Sequence, residues 1–190
     1  MARRTDTRQR MLDSAADLFH TQGYHATGLN QLVNAGGAPK GSLYFHFPGG
    51  KEQLAAEAVT LSGERVAVQL RDLLAAAPDP GTAIVSVLEA LAHNLIESDF
   101  RRGCPIATVA VDAGESAVIR DACASGYTSW RDVIADYLVR EGFPEQRAAS
   151  LAVLALSAIE GALLLAKTQR DVGPLRTVAE HLRTTFTKET

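Results

Sequence analysis

The residues from Thr27 to Lys51, TGLNQLVNAGGAPKGSLYFHFPGGK, constrain the fold of this chain more than any other stretch. Leu29, Leu32 and Val33 recur at the i, i+3, i+4 spacing of one helix face. Thr27 stands ahead of them as an N-cap, with Asn30 and Gln31 in the first turn. Gly36-Gly37 stops that helix, because glycine takes positive φ without steric cost. Pro39 suits the first turn of a second helix, where its missing N–H is not needed. That second helix runs to about Phe45 or His46. Two short helices joined by a turn of about four residues form a helix-turn-helix. Leu43 and Phe47 anchor the second helix, while Lys40, Ser42, Tyr44 and His46 give it hydrogen-bonding groups. A face of donors with few carboxylates suits phosphates and base edges.

Net charge is −3, which by itself argues against a nucleic-acid partner. The distribution reverses that argument. Met1 to Lys51 carries six Lys/Arg against three Asp, and the remainder carries thirteen Lys/Arg against nineteen Asp/Glu. The basic end is therefore the end that bears the helix-turn-helix. Residues 1–6 read as a basic arm, either an unstructured terminus or an added source of phosphate attraction.

The rest of the chain reads as helices between Gly/Pro breaks. A helix capped by Thr5 or Thr7 runs to about Gln22, with Met11, Leu12, Ala15, Leu18 and Phe19 inward, and Gly23 ends it. Pro48-Gly49-Gly50 precedes a long helix over about 51–76, with Leu54, Ala58, Leu61, Arg65 and Val68 marking its inner side. Lys51 falls at its N-terminus, where backbone amides also attract a phosphate. Pro78-Asp79-Pro80-Gly81 breaks the chain before a helix over 81–97 that carries Ile84, Val87, Leu88, Leu91 and Leu95. A loop through Arg102-Gly103-Cys104-Pro105 leads to a short apolar helix over 106–112.

The next helix, 116–141, has the clean stripe Ile119, Cys123, Tyr127, Trp130, Ile134, Leu138. The helix over 145–170 is apolar nearly all round from Leu151 to Ala166, which requires cover on all sides. A partner subunit supplies that cover. The last helix, opened by Pro174, offers Leu175, Val178, Ala179, Leu182 and Phe186 to the same four-helix interface of a symmetric dimer. No run approaches the eighteen or so apolar residues of a membrane span. Arg3 and Arg4 lack an apolar segment behind them, so no secretory signal is read and a cytoplasmic protein is expected. Cys104 and Cys123 form neither a disulfide framework nor a metal site by spacing.

The segment KGSLYFHFPGGKEQL, Lys40 to Leu54, together with RQRMLDSAADLFHTQGYHATGLNQLVNAGGA, Arg8 to Ala38, resembles the TetR-type family of bacterial transcriptional regulators. Arg102-Gly103-Cys104-Pro105-Ile106 is similar to a segment of its LmrA/YxaF-type branch, repressors of multidrug-resistance genes. The resemblance implies an all-α fold: a three-helix DNA-binding head, residues 1–50, on a larger helical ligand-binding and dimerisation body, residues 51–190. It also implies a homodimer on a palindromic double-stranded operator, released by a small hydrophobic effector. Lys40, Tyr44, His46 and Lys51 match the family's phosphate-contacting and positioning residues. Thr27 would offer its hydroxyl to a phosphate, and Gly41 and Ser42 would lie nearest base edges. Tyr44 also reads as a partly buried core ring. His25, Gln31 and Asn34 are rim contacts.

For the effector, the stripe Cys123, Tyr127, Trp130 and Ile134 combines an apolar face with polar tips, the character of a small-molecule lining. Leu61 and Arg65 on the long helix, Phe100 and Cys104 in the loop, and Asn94 and Glu160 as polar groups complete the candidate set. The same stripe also reads as ordinary core. A competing class is a regulator controlled by cysteine oxidation at Cys104, beside Arg101 and Arg102, with no small-molecule pocket. No phosphate loop, serine elbow or metal-ligand cluster stands in the sequence, so neither an enzyme nor a cofactor or metal is expected.

Overall fold

Each Gly/Pro break expected from the sequence is followed by a new helix in the computed structural model. The structure describes the backbone of residues 2–39 and 41–187, and side chains from Asp6 onward in those ranges. All regular structure among the described residues is helical: α1 (Ala2–Gln22), α2 (Leu29–Ala35), α3 (Ser42–His46), α4 (Gly50–Ala76), α5 (Pro80–Glu97), α6 (Pro105–Asp112), α7 (Ala117–Arg140), α8 (Glu145–Gln169) and α9 (Gly173–Thr185).

Two packed units share these helices. The first comprises residues 1–64 and 104–127, and the second 65–103 and 128–190. In the first, α1 packs on α2 and α6. Its core gathers Met11, Phe19, Leu32, Leu43, Phe47, Leu54, Ile106 and Ile119, all essentially inaccessible to solvent. Gly36 permits the close approach of α2 to α1, since a Cβ there would lie 2.6 Å from Met11 Cγ. Gly37 supplies the left-handed turn, with φ +61°. In the second unit α9 packs on both α5 and α8. Asp79 caps α5 by accepting the Thr82 N–H at 2.8 Å.

Several expectations are corrected. Residues 2–6 continue α1 rather than forming an arm. Pro39 precedes α3 instead of opening it: Ser42 N–H donates to Pro39 O at 2.9 Å, and the helix begins at Ser42. On α4, Val68 and Arg65 are exposed, and Ala67, Leu70 and Leu74 are buried instead. The expected spacing averaged 3.5 residues, and a straight helix drifts about 20° per heptad from that repeat. Of the α9 stripe, Leu175, Ala179, Leu182 and Phe186 are buried within this chain, where α9 packs on α5 and α8, and Val178 is half-buried. Finally, α8 is long and apolar enough to cross a membrane by length and composition, contrary to the expectation that no segment is.

Candidate nucleic-acid interface and effector lining

In the first unit, α3 is held by Leu43 and Phe47, as its sequence spacing requires. The Arg8 guanidinium lies 4.7 Å from the Phe47 ring centre and pairs with Glu57 of α4. Gly41, Tyr44 and Phe45 then face solvent, with Ser42 and His46 half-buried beside them. Tyr44 is 60% exposed, which removes the core reading of its ring. The Phe45 and His46 rings meet edge to face at 5.0 Å.

An open cleft of ≈ 540 Å³ runs between the start of α1 and α3. Asp6, Thr7, Arg10, Pro39, Ser42, Phe45 and His46 line it. Arg10 pairs there with Asp6 and donates to Thr7 Oγ1 at 3.3 Å. Sequence reasoning left out Arg10 and Phe45. The signal for Phe45 was present: once Leu43 and Phe47 face inward, Phe45 must face out. Lys40 lies outside the described residues.

Lys51 sits at the N-terminus of the 27-residue α4, and its ammonium is 4.2 Å from the Tyr24 ring centre. Partial burial lowers the pKa of Lys51, against an opposing pull from the Asp112 carboxylate. Tyr24 is shifted up, by burial first and Glu52 second. Gln53 reaches back so that its Oε1 accepts the Gly49 N–H at 2.8 Å.

Thr27 takes a different part from the one expected. It is fully buried, and its hydroxyl donates to Gly23 O at 2.7 Å. Gly28 is the N-cap of α2 and makes no side-chain cap bond. The Thr27 hydroxyl closes the α1–α2 turn internally and is not offered to a phosphate. His25, Asn34 and, half-buried, Gln31 remain at the surface.

The candidate effector residues divide between the units. In the first, buried Cys104 caps α6, its Sγ accepting the Ala107 N–H at 3.3 Å, and lies 3.8 Å from Tyr127 Oη. Cys123 is buried, and burial pushes its thiol pKa up. Leu61 is half-buried. The α4, α6 and α7 segments here meet at Gly63, Ile106 and Gly126: a Cβ on Gly126 would collide with Ile106 Cδ1.

In the second unit, Trp130 and Ile134 are buried, and Glu160 is half-buried. Phe100 is half-buried, with the Arg170 guanidinium 5.4 Å from its ring. Asn94 and Arg65 are exposed rather than lining the interior. His93 is exposed and pairs with Glu97 at 3.1 Å. A residue the sequence did not single out, Tyr137, is buried, and its hydroxyl has no hydrogen-bond partner among the described residues. Its position, seven residues after Trp130, places it on the same face of α7.

Comparison with known proteins covers both parts of the chain. Residues 11–58 match the family model described as bacterial regulatory proteins, tetR family. Residues 80–181 match the model described as transcriptional regulator LmrA/YxaF-like, C-terminal domain. The chain is 40% identical over 183 residues to the uncharacterized HTH-type transcriptional regulator YxaF of Bacillus subtilis, covering 96% of each. It is 39% identical over 171 residues to the HTH-type transcriptional regulator LmrA of the same organism, covering 90% of this chain and 91% of LmrA. The fold is shared with a cysteine mutant of the TetR family regulator CifR, solved with 26 bp operator DNA: TM-score 0.78 at 23% identity, over 94% of this chain and 96% of that one.

Proposed function

Because the chain belongs to the TetR family of transcriptional regulators, with a C-terminal domain of the LmrA/YxaF-like type, we propose that it is a homodimeric repressor, bound to a palindromic operator and released by a small hydrophobic molecule. The observation that carries the DNA part is the outward set of Gly41, just before α3, and Tyr44 and Phe45 on it, shortly ahead of Lys51 at the start of α4. Ser42 and Gly41 read base edges, and Tyr44, His46 and Lys51 hold phosphates. In the functional division, residues 1–50 contact DNA and 51–190 carry dimerisation and effector response. The setting is the cytoplasm.

Dimerisation rests on α8. Val153, Leu154, Ser157, Gly161, Leu164 and Leu165 fall within one contiguous exposed face of that helix, and Leu164 is 67% exposed. A Cβ at Gly161 meets nothing within 4 Å in this chain, so that bare position leaves room for a partner helix. The opposite face is buried, where α8 packs on α9. A second copy, meeting this one across a two-fold axis, covers the exposed apolar face. Two heads in the dimer then address half-sites about 34 Å apart.

The effector is an uncharged aromatic or a cationic amphiphile. Within the first unit it addresses Cys104 and Tyr127, whose Sγ and Oη already approach each other. It acts by preferring the geometry that does not fit the operator. A second reading, thiol control at Cys104, is favoured by the Ala107 N–H that donates to its Sγ and by the Tyr127 hydroxyl beside it. DNA release by a thiol electrophile, abolished in Cys104→Ser, would select that reading.

Selection of bound fragments from the source genome tests the whole proposal. Recovery of a shared palindrome is expected, and the adjoining genes define the effector class. Fragments with no common pattern would overturn operator recognition.

A further inference from the structure

Inside the first unit, a carboxylate of the second matched family region hydrogen-bonds the backbone of the first. Asp112, the last residue of α6, accepts the His25 backbone N–H at 2.6 Å through Oδ2. The α1–α2 turn is shaped to receive it. Gly23 has φ +84°, which strains any side chain, and a Cβ on it would stand in tight contact, 3.1 Å, with that same oxygen. The Thr27 hydroxyl bonds the other side of Gly23 through its carbonyl. Tyr24, between Gly23 and His25, meets the His25 ring edge to face at 5.2 Å and lies under the Lys51 ammonium. A continuous series of contacts therefore runs from the end of α6 to the cation assigned to a DNA phosphate. Ser116, just ahead of α7, adds a second tie by donating to Glu52 of α4.

We infer that Asp112 is the positioning residue through which α6 fixes the DNA-contacting turn and Lys51. The inference rests on the DNA-binding reading above. It assigns to the C-terminal family region, residues 80–181, a direct hold on the head that does not run along α4. Charge alone makes the opposite prediction: a carboxylate near phosphates repels them, so its removal would tighten binding.

The test uses the unmodified full chain and duplexes it selects from a random-sequence pool. Asp112→Ala should weaken binding about tenfold, the scale of one lost charge-assisted hydrogen bond. The salt slope should stay unchanged, because no phosphate contact is removed. Asp112→Asn keeps an acceptor and should stay within about twofold of the unmodified protein. The His25 amide should exchange slowly in the unmodified protein and in Asp112→Asn, and fast in Asp112→Ala. If Asp112→Ala fails to fold, Asp112→Glu serves, since it keeps the charge but carries the oxygen away from His25 and should weaken binding similarly. Tighter or unchanged binding in Asp112→Ala or Asp112→Glu, or a fast His25 amide in the unmodified protein, overturns the inference. A protein that selects no duplex at all defeats the proposed function; one that binds duplexes yet ignores Asp112 defeats this inference alone.

Discussion

The Lys51 ammonium lies 4.2 Å from the centre of the Tyr24 ring, which joins the start of α4 to the turn after α1. A cation over an aromatic face is held without being neutralised. Lys51 thereby keeps its charge, which the proposed function gives to a phosphate, while its long side chain is held against the ring. Lys51→Ala should weaken binding to every duplex and lower the salt slope by about one. Affinity measured against salt for several unrelated duplexes checks this; an unchanged slope would remove Lys51 from the interface. Since partial burial lowers the Lys51 pKa, the charge is present at neutral pH and lost as pH rises. DNA affinity should fall at alkaline pH before the ordinary lysine range near ~10.4 is reached.

Ser42 and Phe45 should behave differently from Lys51. Ser42→Ala and Phe45→Ala should change which sequences a random pool yields while leaving the salt slope intact. The expected size is about 1–3 kcal/mol of discrimination for a good base contact. Pools identical to those of the unmodified protein would confine both residues to a supporting part.

On α8, two neighbouring substitutions separate assembly from folding. Gly161→Glu places a charge on the exposed face and should give soluble, folded monomers by sedimentation. Ala162→Glu buries a charge in the core against which α8 packs, and should prevent folding. A stable dimer from Gly161→Glu would send the interface elsewhere.

Tyr137 carries a buried hydroxyl with no hydrogen-bond partner among the described residues. Removing an unsatisfied polar atom relieves its desolvation cost, so Tyr137→Phe should raise stability by about 1 kcal/mol. Thermal melting reads the difference. Loss of stability instead would show that the hydroxyl has a partner in solution.

Asp79 caps α5, and its pKa is lowered first by the Thr82 hydroxyl and next by the Thr82 backbone N–H. The sign follows from linkage: a depressed carboxyl pKa gives stability above the unfolded value, lost as pH falls through the folded one. Asp79→Ala should therefore melt lower at neutral pH, and the gap should begin to narrow as pH falls below the ordinary aspartate value of 3.8 and close once it has fallen through the lower folded value. A gap that persists in acid would assign the effect to packing.

Much of this architecture is written in short-range pattern. The breaks at Gly36-Gly37, Pro48-Gly49-Gly50 and Pro78 to Gly81, and the inward faces of α1, α5 and α7, follow from backbone preferences and helical spacing. These act between residues a few positions apart, and so the helix-turn-helix was legible, with Leu43 and Phe47 as its anchors. What the tertiary structure alone decided depends on residues that only folding brings together. Asp112 and His25 meet across 87 positions of sequence, and Cys104 and Tyr127 across 23. The direction of the Thr27 hydroxyl was equally hidden. A threonine before a helix has two satisfied states, and the choice fell to the Gly23 carbonyl in a turn whose shape the sequence pattern does not specify. On α8 the apolar composition showed that cover was required; only packing on α9 decided which face the chain covers itself and which it leaves exposed.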